Sequence, residues 1–472
     1  MEKGELFFVG FPDGIDKEAI DLIKKYRPGG IMLYPTNMED MDMLQIHMEI
    51  LYDLMKKEGL KFFISSDHEG GQLETVPGIM PSPGNTSFGK STKSNIYLYG
   101  KYLGKTLKSY GFNTLFAPVV DTFHDESSPV TGLRTFSEDP YKVGEYAKEF
   151  IKGLREEEIL GTLKHFPGHG KAISDSHETL PKIYDFDEDD QDLIPFRINI
   201  QEGAELIMTA HIIYPHLDKV PATLSKEILT HLLREKMGYE KLIISDAIEM
   251  RALYNNYTIS EMVEKFFNAG GDMFLIAEAR ENLQDAYESL ERLINNRHIN
   301  LDNLENSLKR IEEIKKSYVI KDYSLSFLAK VAKEAIKYKV NTKLQSDDSI
   351  TFLVPKASKL SLADTTNKDI SKYEGVIRLF CKDPRIVKYD IFSGELDGPV
   401  PPSPHIVSFV VDSFRFKGQQ KMQKSLKEKT PNPIYLIIRN PNDEELYKKE
   451  NYIVTLSTKP ISIYYVLKNL FK

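Results

Sequence analysis

Eight short runs of apolar, β-branched or aromatic residues recur along the first 280 residues, at 6–10, 30–34, 61–65, 113–120, 161–166, 206–210, 241–245 and 273–277. Runs of this length without polar alternation predict strands covered on both faces. The stretches between them carry the helical period instead. In 140–157, Val143, Tyr146, Ala147, Phe150, Ile151 and Leu154 fall on one face, and Asp139 before Pro140 supplies an N-cap and a first-turn proline. Buried strands alternating with amphipathic helices predict a parallel sheet, and eight such units in this length match an α/β fold of the (β/α)8 TIM-barrel type. A doubly wound open sheet shares the alternation. The polar residues favour the barrel, because Asp67, Asp121, Lys164, His165, His211 and Asp246 stand at or just beyond strand C-termini, where a barrel carries its site.

Beyond the eighth run the pattern changes. Helices are predicted over 300–316 and 325–339, the second with Leu328, Val331, Ala332, Ala335 and Ile336 on one stripe. The polar stretch 341–348 then marks a boundary. The expected division is a barrel over 1–320, a connecting helix and linker over 321–348, and a small C-terminal α/β domain over 349–472. Its strands are expected at 350–354, 375–380, 406–411, 434–438 and 452–456, with an exposed loop around 399–404.

Composition narrows the partners. A hydrophobic fraction of 41% with 11% aromatics supplies a core and excludes a disordered or fibrous chain. The 62 basic and 70 acidic residues leave a net charge of −8 and no basic run to track phosphates, so nucleic acid is not an expected partner. The single cysteine, Cys381, excludes an internal disulfide or a cysteine-based zinc site and suits a reducing compartment. The apolar run at 6–10 is far shorter than a signal-peptide core or a membrane span, so the expected location is the cytoplasm, with no membrane partner.

Candidate chemistry concentrates in four segments. The densest is LKHFPGHGKAISDSHETLP over 163–181, where Pro167, Gly168 and Gly170 impose a loop. His165, His169 and His177 could be read as zinc ligands, but the four-residue spacing presents two rings on one face only in a helix, so no metal and no cofactor are expected. GHGK also lacks the upstream glycine and the following Ser or Thr of a phosphate loop. In LIISDAIEM over 242–250, a strand ending in Ser-Asp aims Asp246 at a barrel mouth, as a nucleophile, a metal ligand or simply the N-cap of a helix from Ala247. ISSDHEGG places Asp67 and Glu69 after the third run, and TGLRTFSEDP supplies Arg134 after the fourth.

The order and spacing of SDHEGG, GLRTFSEDP, KHFPGHG with DSH, and SDAIEM resemble the bacterial β-N-acetylglucosaminidases of glycoside hydrolase family 3, over roughly residues 1–340. The resemblance implies a (β/α)8 barrel, often followed by an α/β domain, and retention of anomeric configuration through a covalent glycosyl-enzyme. It implies Asp246 as nucleophile, His177 as general acid/base and Asp175 as its orienting partner. Asp67, Arg134, Lys164 and His165 would hold the sugar's hydroxyls, and His211 would pack near the nucleophile. One departure stands out: the family commonly reads DQEGG followed by arginine, whereas here His68 follows Asp67 and Gln72 follows Gly71.

The chemistry agrees with these assignments. Retaining hydrolysis needs a nucleophile on one face of the sugar and a proton donor on the other, normally a second carboxylate. Asp175 and His177 are two apart, so an extended loop projects both to one side, and a carboxylate beside imidazole stabilises the imidazolium. The residues alone leave Glu69, Glu138 and Glu178 as rival acids. The expected activity is therefore exo-hydrolysis of terminal non-reducing β-linked N-acetylglucosamine, from peptidoglycan fragments or chitooligosaccharides. The alternatives are a phosphorylase using phosphate as acceptor or a β-glucosidase; a sugar-binding barrel without catalysis would not need Asp246, Asp175 and His177 together. The oligomeric state is not legible.

Overall fold

The computed structural model describes residues 2–124, 131–172, 180–319, 322–340, 342–356 and 366–471. The chain forms two compact units, one comprising Met1–Gly14, Asp21–Met41 and Leu51–Ser324, the other Ile15–Ile20, Asp42–Ile50 and Leu325–Lys472.

In the first unit every predicted run contains a strand: β1 (Phe7–Gly10), β2 (Gly30–Met32), β3 (Phe63–Ser65), β4 (Thr114–Leu115), β5 (Leu160–Gly161) with β6 (Leu163–Phe166), β7 (Leu206–Thr209), β8 (Leu242–Ile244) and β9 (Phe274–Ile276). All strand pairings are parallel, in the orders β3-β2-β1-β9, β4-β5 and β6-β7-β8. Three joints close the ring. Asn113 N–H donates to Ile64 O at 3.3 Å between β3 and β4, Val119 bridges Lys164, and Ile244 bridges Met273 between β8 and β9. Because β1 pairs with both the second strand and the last, the sheet is a closed barrel of eight staves, with β5 and β6 forming one stave. The open doubly wound alternative is excluded.

The residues of β1, β2, β3 and β9 are all buried, as continuous apolar runs require when helices cover the outside and side chains fill the inside. The covering helix Pro140–Glu156 buries the six predicted apolar residues, and its N-cap Asp139 accepts from Tyr141 N–H at 3.0 Å and Lys142 N–H at 3.4 Å. Burial of each large apolar side chain contributes about 1.5–3 kcal/mol relative to exposure.

The second unit is built on β10 (Lys337–Lys339), β11 (Ile350–Pro355), β12 (Arg385–Tyr389), β13 (His405–Val410), β14 (Ile434–Ile437) and β15 (Asn451–Val454), in the order β10-β15-β14-β13-β11-β12. All pairs are parallel except β10 with β15. Two expectations fail here. The run 375–380 is not a strand; most of it belongs to the helix Tyr373–Arg378, where Tyr373, Val376 and Ile377 are buried at helical spacing and Arg378 pairs with Glu374 at 3.0 Å. The strand is β12 instead, an edge whose exposed Arg385 and Lys388 disguise it. The helix predicted over 325–339 is Ser326–Glu334, because pairing with β15 takes residues 337–339 into a ladder. Of its sequence, Ala329 is buried while Leu328 and Val331 are 47% and 59% exposed, opposite to the predicted stripe. In the loop around 399–404, Val400 and Ser403 are buried. Among the described residues no helix is long and apolar enough to cross a membrane.

Candidate active site

A cavity of about 500 Å³ opens at the C-terminal ends of the barrel strands. Its walls come from the ends of β2, β3, β6, β7 and β8 and from the turn carrying Arg134.

After β3 the chain must turn sharply so that both Asp67 and Glu69 reach the cavity. Gly70 and Gly71 make that turn at φ +89° and +64°, a conformation that favours glycine, and a side chain on Gly70 would lie 2.4 Å from Ser82 Oγ. Glu69 and Gly70 N–H both donate to Leu73 O, at 3.0 and 3.1 Å. His68 is buried beneath; its Nδ1 accepts from Thr75 and Val76 N–H at 3.1 Å each, and burial lowers its pKa to about 4. The neutral ring is a clasp for the loop.

Four charged groups meet in this wall. Lys164, inside β6, donates to Asp67 Oδ1 at 2.7 Å and lies 2.7 Å from Glu69 Oε1. Arg134 holds Glu69 with two bonds, Nε to Oε2 and Nη2 to Oε1, both 2.8 Å. Burial alone would raise the Glu69 carboxyl, but Lys164 and Arg134 hold it well below the usual carboxylate range. Burial would likewise lower Lys164, and Asp67 and Glu69 reverse this. Glu69 is thus a permanent anion and no proton donor.

Beside them Asp121, fully buried, organises the start of the KHFPGHG loop. Its Oδ1 accepts from His169 N–H at 2.7 Å and His165 N–H at 3.2 Å, and His165 Nδ1 donates to Oδ2 at 2.8 Å. The carboxyl is held below its ordinary value because the His165 and His169 rings outweigh the cost of burial. His169 itself is pushed down to about 4 by burial. Gly168 is required where it stands, since a side chain there would meet Asp192 Cβ at 2.7 Å.

Asp246 follows β8 on the cavity wall and is half-buried. It does not cap a helix: the next helix is Arg251–Tyr254, whose N-cap is Met250. Its Oδ1 accepts from Ala247 N–H at 2.8 Å. Burial would raise this carboxyl, but the His165 and His211 rings, the Ala247 N–H and Lys164 hold it below its ordinary value, so it is ionised. His211 lies behind it, Nδ1 2.8 Å from Thr223 Oγ1 and Nε2 2.9 Å from Ala247 O. A carbonyl only accepts, so Nε2 carries a proton and ties His211 to the residue after Asp246.

The structure therefore brings Asp67, Arg134, Lys164, His165 and Asp246 to one cavity and sets His211 behind it. Asp175, His177 and the rival acid Glu178 lie outside the described residues. Glu138 is exposed and lines a different hollow. Glu249 faces away: its carboxylate accepts from the Ala277, Glu278 and Asn282 nitrogens at 2.9–3.0 Å, ahead of the helix Ala279–Asn295. Among the described residues no group of three His, Cys, Asp or Glu side chains could hold a metal. The sequence reading missed Tyr34, an aromatic ending the second apolar run, which stands on the cavity wall with Met32, Met208 and Met250. A polar-tipped aromatic at a strand C-terminus was the available signal.

Residues 2–314 match the glycosyl hydrolase family 3 N-terminal domain, and residues 348–470 match the β-N-acetylglucosaminidase C-terminal domain. The chain belongs to glycosyl hydrolase family 3. The β-N-acetylglucosaminidase of Thermotoga maritima is 36% identical, with a TM-score of 0.84 over 98% of this chain and 99% of that one. CbsA from Thermotoga neapolitana, also solved with zinc bound, is 34% identical, with a TM-score of 0.82 over 99% of each chain. β-Hexosaminidase A of Pseudoalteromonas piscicida is 33% identical over 328 residues, 63% of this chain; the match spans 55% of that relative's length.

Proposed function

We propose that this chain is a retaining exo-β-N-acetylglucosaminidase that hydrolyses terminal non-reducing β-linked N-acetylglucosamine, with Asp246 as nucleophile and His177, oriented by Asp175, as acid/base. One observation carries the reading. Of the carboxylates on the cavity wall, Asp67 and Glu69 are hydrogen-bonded by Lys164 or Arg134, while Asp246 accepts from a backbone N–H and is held ionised. A carboxylate nucleophile must be an anion whose lone pair is not committed to a cation, and among the described residues no cationic side chain donates a hydrogen bond to Asp246. The same pairing removes Glu69 as proton donor, which favours the histidine of the DSH segment. The names of the relatives from Thermotoga maritima and Pseudoalteromonas piscicida point the same way.

In this reading Asp67, Arg134, Lys164 and His165 bind the sugar's hydroxyls. Asp246 attacks the anomeric carbon as His177 protonates the departing oxygen, and His177 then takes a proton from the water that releases the sugar. Hydrolysis needs no metal or organic cofactor. The substrate is a fragment of peptidoglycan or a chitooligosaccharide, and the near-absence of cysteine supports a reducing cytoplasm as the compartment. The divisions 1–320, 321–348 and 349–472 are proposed as the sequence spans of barrel, connector and second domain, with Ile15–Ile20 and Asp42–Ile50 of the first span belonging to the second compact unit.

The test is incubation with a chromogenic β-N-acetylglucosaminide, with and without phosphate, followed by identification of the sugar. Free N-acetylglucosamine, released first as the β-anomer, is expected in both. N-Acetylglucosamine 1-phosphate would make the protein a phosphorylase, and faster release from the corresponding β-glucoside, assayed in parallel, would make it a β-glucosidase.

A further inference from the structure

The cavity has two unlike sides. The Asp67, Glu69, Arg134 and Lys164 side is charged, and the opposite side, from β2, β7 and the turn after β8, offers Met32, Met208, Met250 and the ring of Tyr34. N-Acetylglucosamine is divided in the same way. Its hydroxyls call for charged hydrogen-bond partners, and its acetamido group presents a methyl and one strong carbonyl acceptor.

Tyr34 is seated by a specific device. Phe8 of β1 points into the barrel, where its ring meets Phe116 at 5.1 Å. Gly10, two residues on, faces the same way and has no side chain. Tyr34 fills that gap: a Cβ on Gly10 would lie 2.5 Å from Tyr34 Cε2 and 3.2 Å from its hydroxyl. The ring is thereby fixed across the end of β1, inside the mouth. Burial raises the hydroxyl well above its ordinary pKa, and the negative charges of Asp67, Glu249, Glu278 and Asp246 push the same way, so it remains a hydrogen-bond donor throughout the working range.

We propose that Tyr34, held on Gly10, is the specificity-determining residue for the 2-acetamido group: its hydroxyl donates to the acetamido carbonyl, and the methionine side receives the methyl. The proposal rests on the N-acetylglucosaminidase reading above and names what would separate that substrate from a plain glucoside. A site built to hydrogen-bond a substrate group discriminates strongly against the analogue lacking it.

The experiment compares Tyr34→Phe and Gly10→Ala with the parent chain on nitrophenyl β-N-acetylglucosaminide, nitrophenyl β-glucoside and free N-acetylglucosamine as inhibitor. Tyr34→Phe keeps the ring on Gly10, so its melting temperature should not move. Its kcat/KM for the N-acetylglucosaminide should fall roughly 10- to 100-fold, the Ki for N-acetylglucosamine should rise, and glucoside turnover should stay level. Gly10→Ala displaces the ring without touching sugar and should shift the same ratio in the same direction. Equal losses on both glycosides, or an unchanged ratio and Ki in Tyr34→Phe, would overturn the proposal while leaving the hydrolase reading intact. A parent chain that releases no N-acetylglucosamine would instead overturn the hydrolase reading, and this proposal with it.

Discussion

At the scale of single residues, the site is governed by which charges face each other. Lys164 is 3% exposed and lies against two carboxylates, so Lys164→Met leaves Asp67 and Glu69 without their ammonium partner. Breaking a buried pair in this way costs about 3–5 kcal/mol. Urea unfolding should show that loss, and adding Asp67→Asn should cost less than the sum of the single changes, because the second substitution removes the carboxylate that Lys164→Met strands, whereas Glu69 keeps Arg134. The proposed proton donor gives a different signature. His177→Ala should damage turnover of natural disaccharides heavily and of nitrophenyl glycosides much less in the glycosylation step, since nitrophenolate leaves without protonation. Equal losses on both substrates would assign His177 to binding. Asp67, Arg134, Lys164, His165 and Asp246 were legible because each sits in a distinctive segment at a strand end. The Glu69 pairing was not: its partners lie 65 and 95 residues away in sequence, and only barrel closure brings three stave ends together.

At the scale of elements, a buried aspartate governs the loop after β13. Asp443 accepts from Ser413 N–H at 2.9 Å and Phe414 N–H at 2.6 Å, and burial raises its pKa from 3.8 to about 6 despite those bonds. A carboxyl raised on folding contributes stability that is present below about pH 4 and lost as pH rises through about 6. A shift of two units corresponds to roughly 3 kcal/mol. Asp443→Asn keeps an acceptor and cannot ionise, so the stability difference between parent and variant should change by up to about that amount between pH 4 and pH 7, the variant gaining at the higher pH. An identical pH dependence in both would mean that Asp443 ionises as readily in the folded chain as in the unfolded one. The barrel strands were legible because strands covered on both faces cannot alternate. β12 was missed because an edge strand can carry Arg385 and Lys388, and 375–380 misled because a short apolar run has the same look in a strand and in a helix.

At the scale of the whole molecule, the chain does not divide at one point in sequence. The second unit includes Ile15–Ile20 and Asp42–Ile50, and within it Lys17 Nζ donates to Ser346 Oγ at 2.9 Å and Tyr465 OH to Glu49 Oε2 at 2.6 Å. A polar linker marks where the chain leaves the barrel but cannot reveal which earlier segments pack with the C-terminal residues, because that depends on contacts more than 300 residues apart. A fragment ending at Ser324 loses those partners, so its calorimetric melting temperature should lie below that of the full chain. Melting at the same temperature would show that the early segments need nothing beyond Ser324.

Asp246, proposed as the nucleophile, should carry the sugar in the covalent intermediate. A 5-fluoro N-acetylglucosaminyl donor, which slows departure of the sugar more than its arrival, should inactivate the protein with a mass increase of one fluorosugar, located by peptide mapping on the segment containing Asp246. Asp246→Ala should take up no label and lose several orders of magnitude in turnover. Labelling of Asp67, Glu69 or Glu249, or stoichiometric labelling that persists in Asp246→Ala, would contradict the assignment.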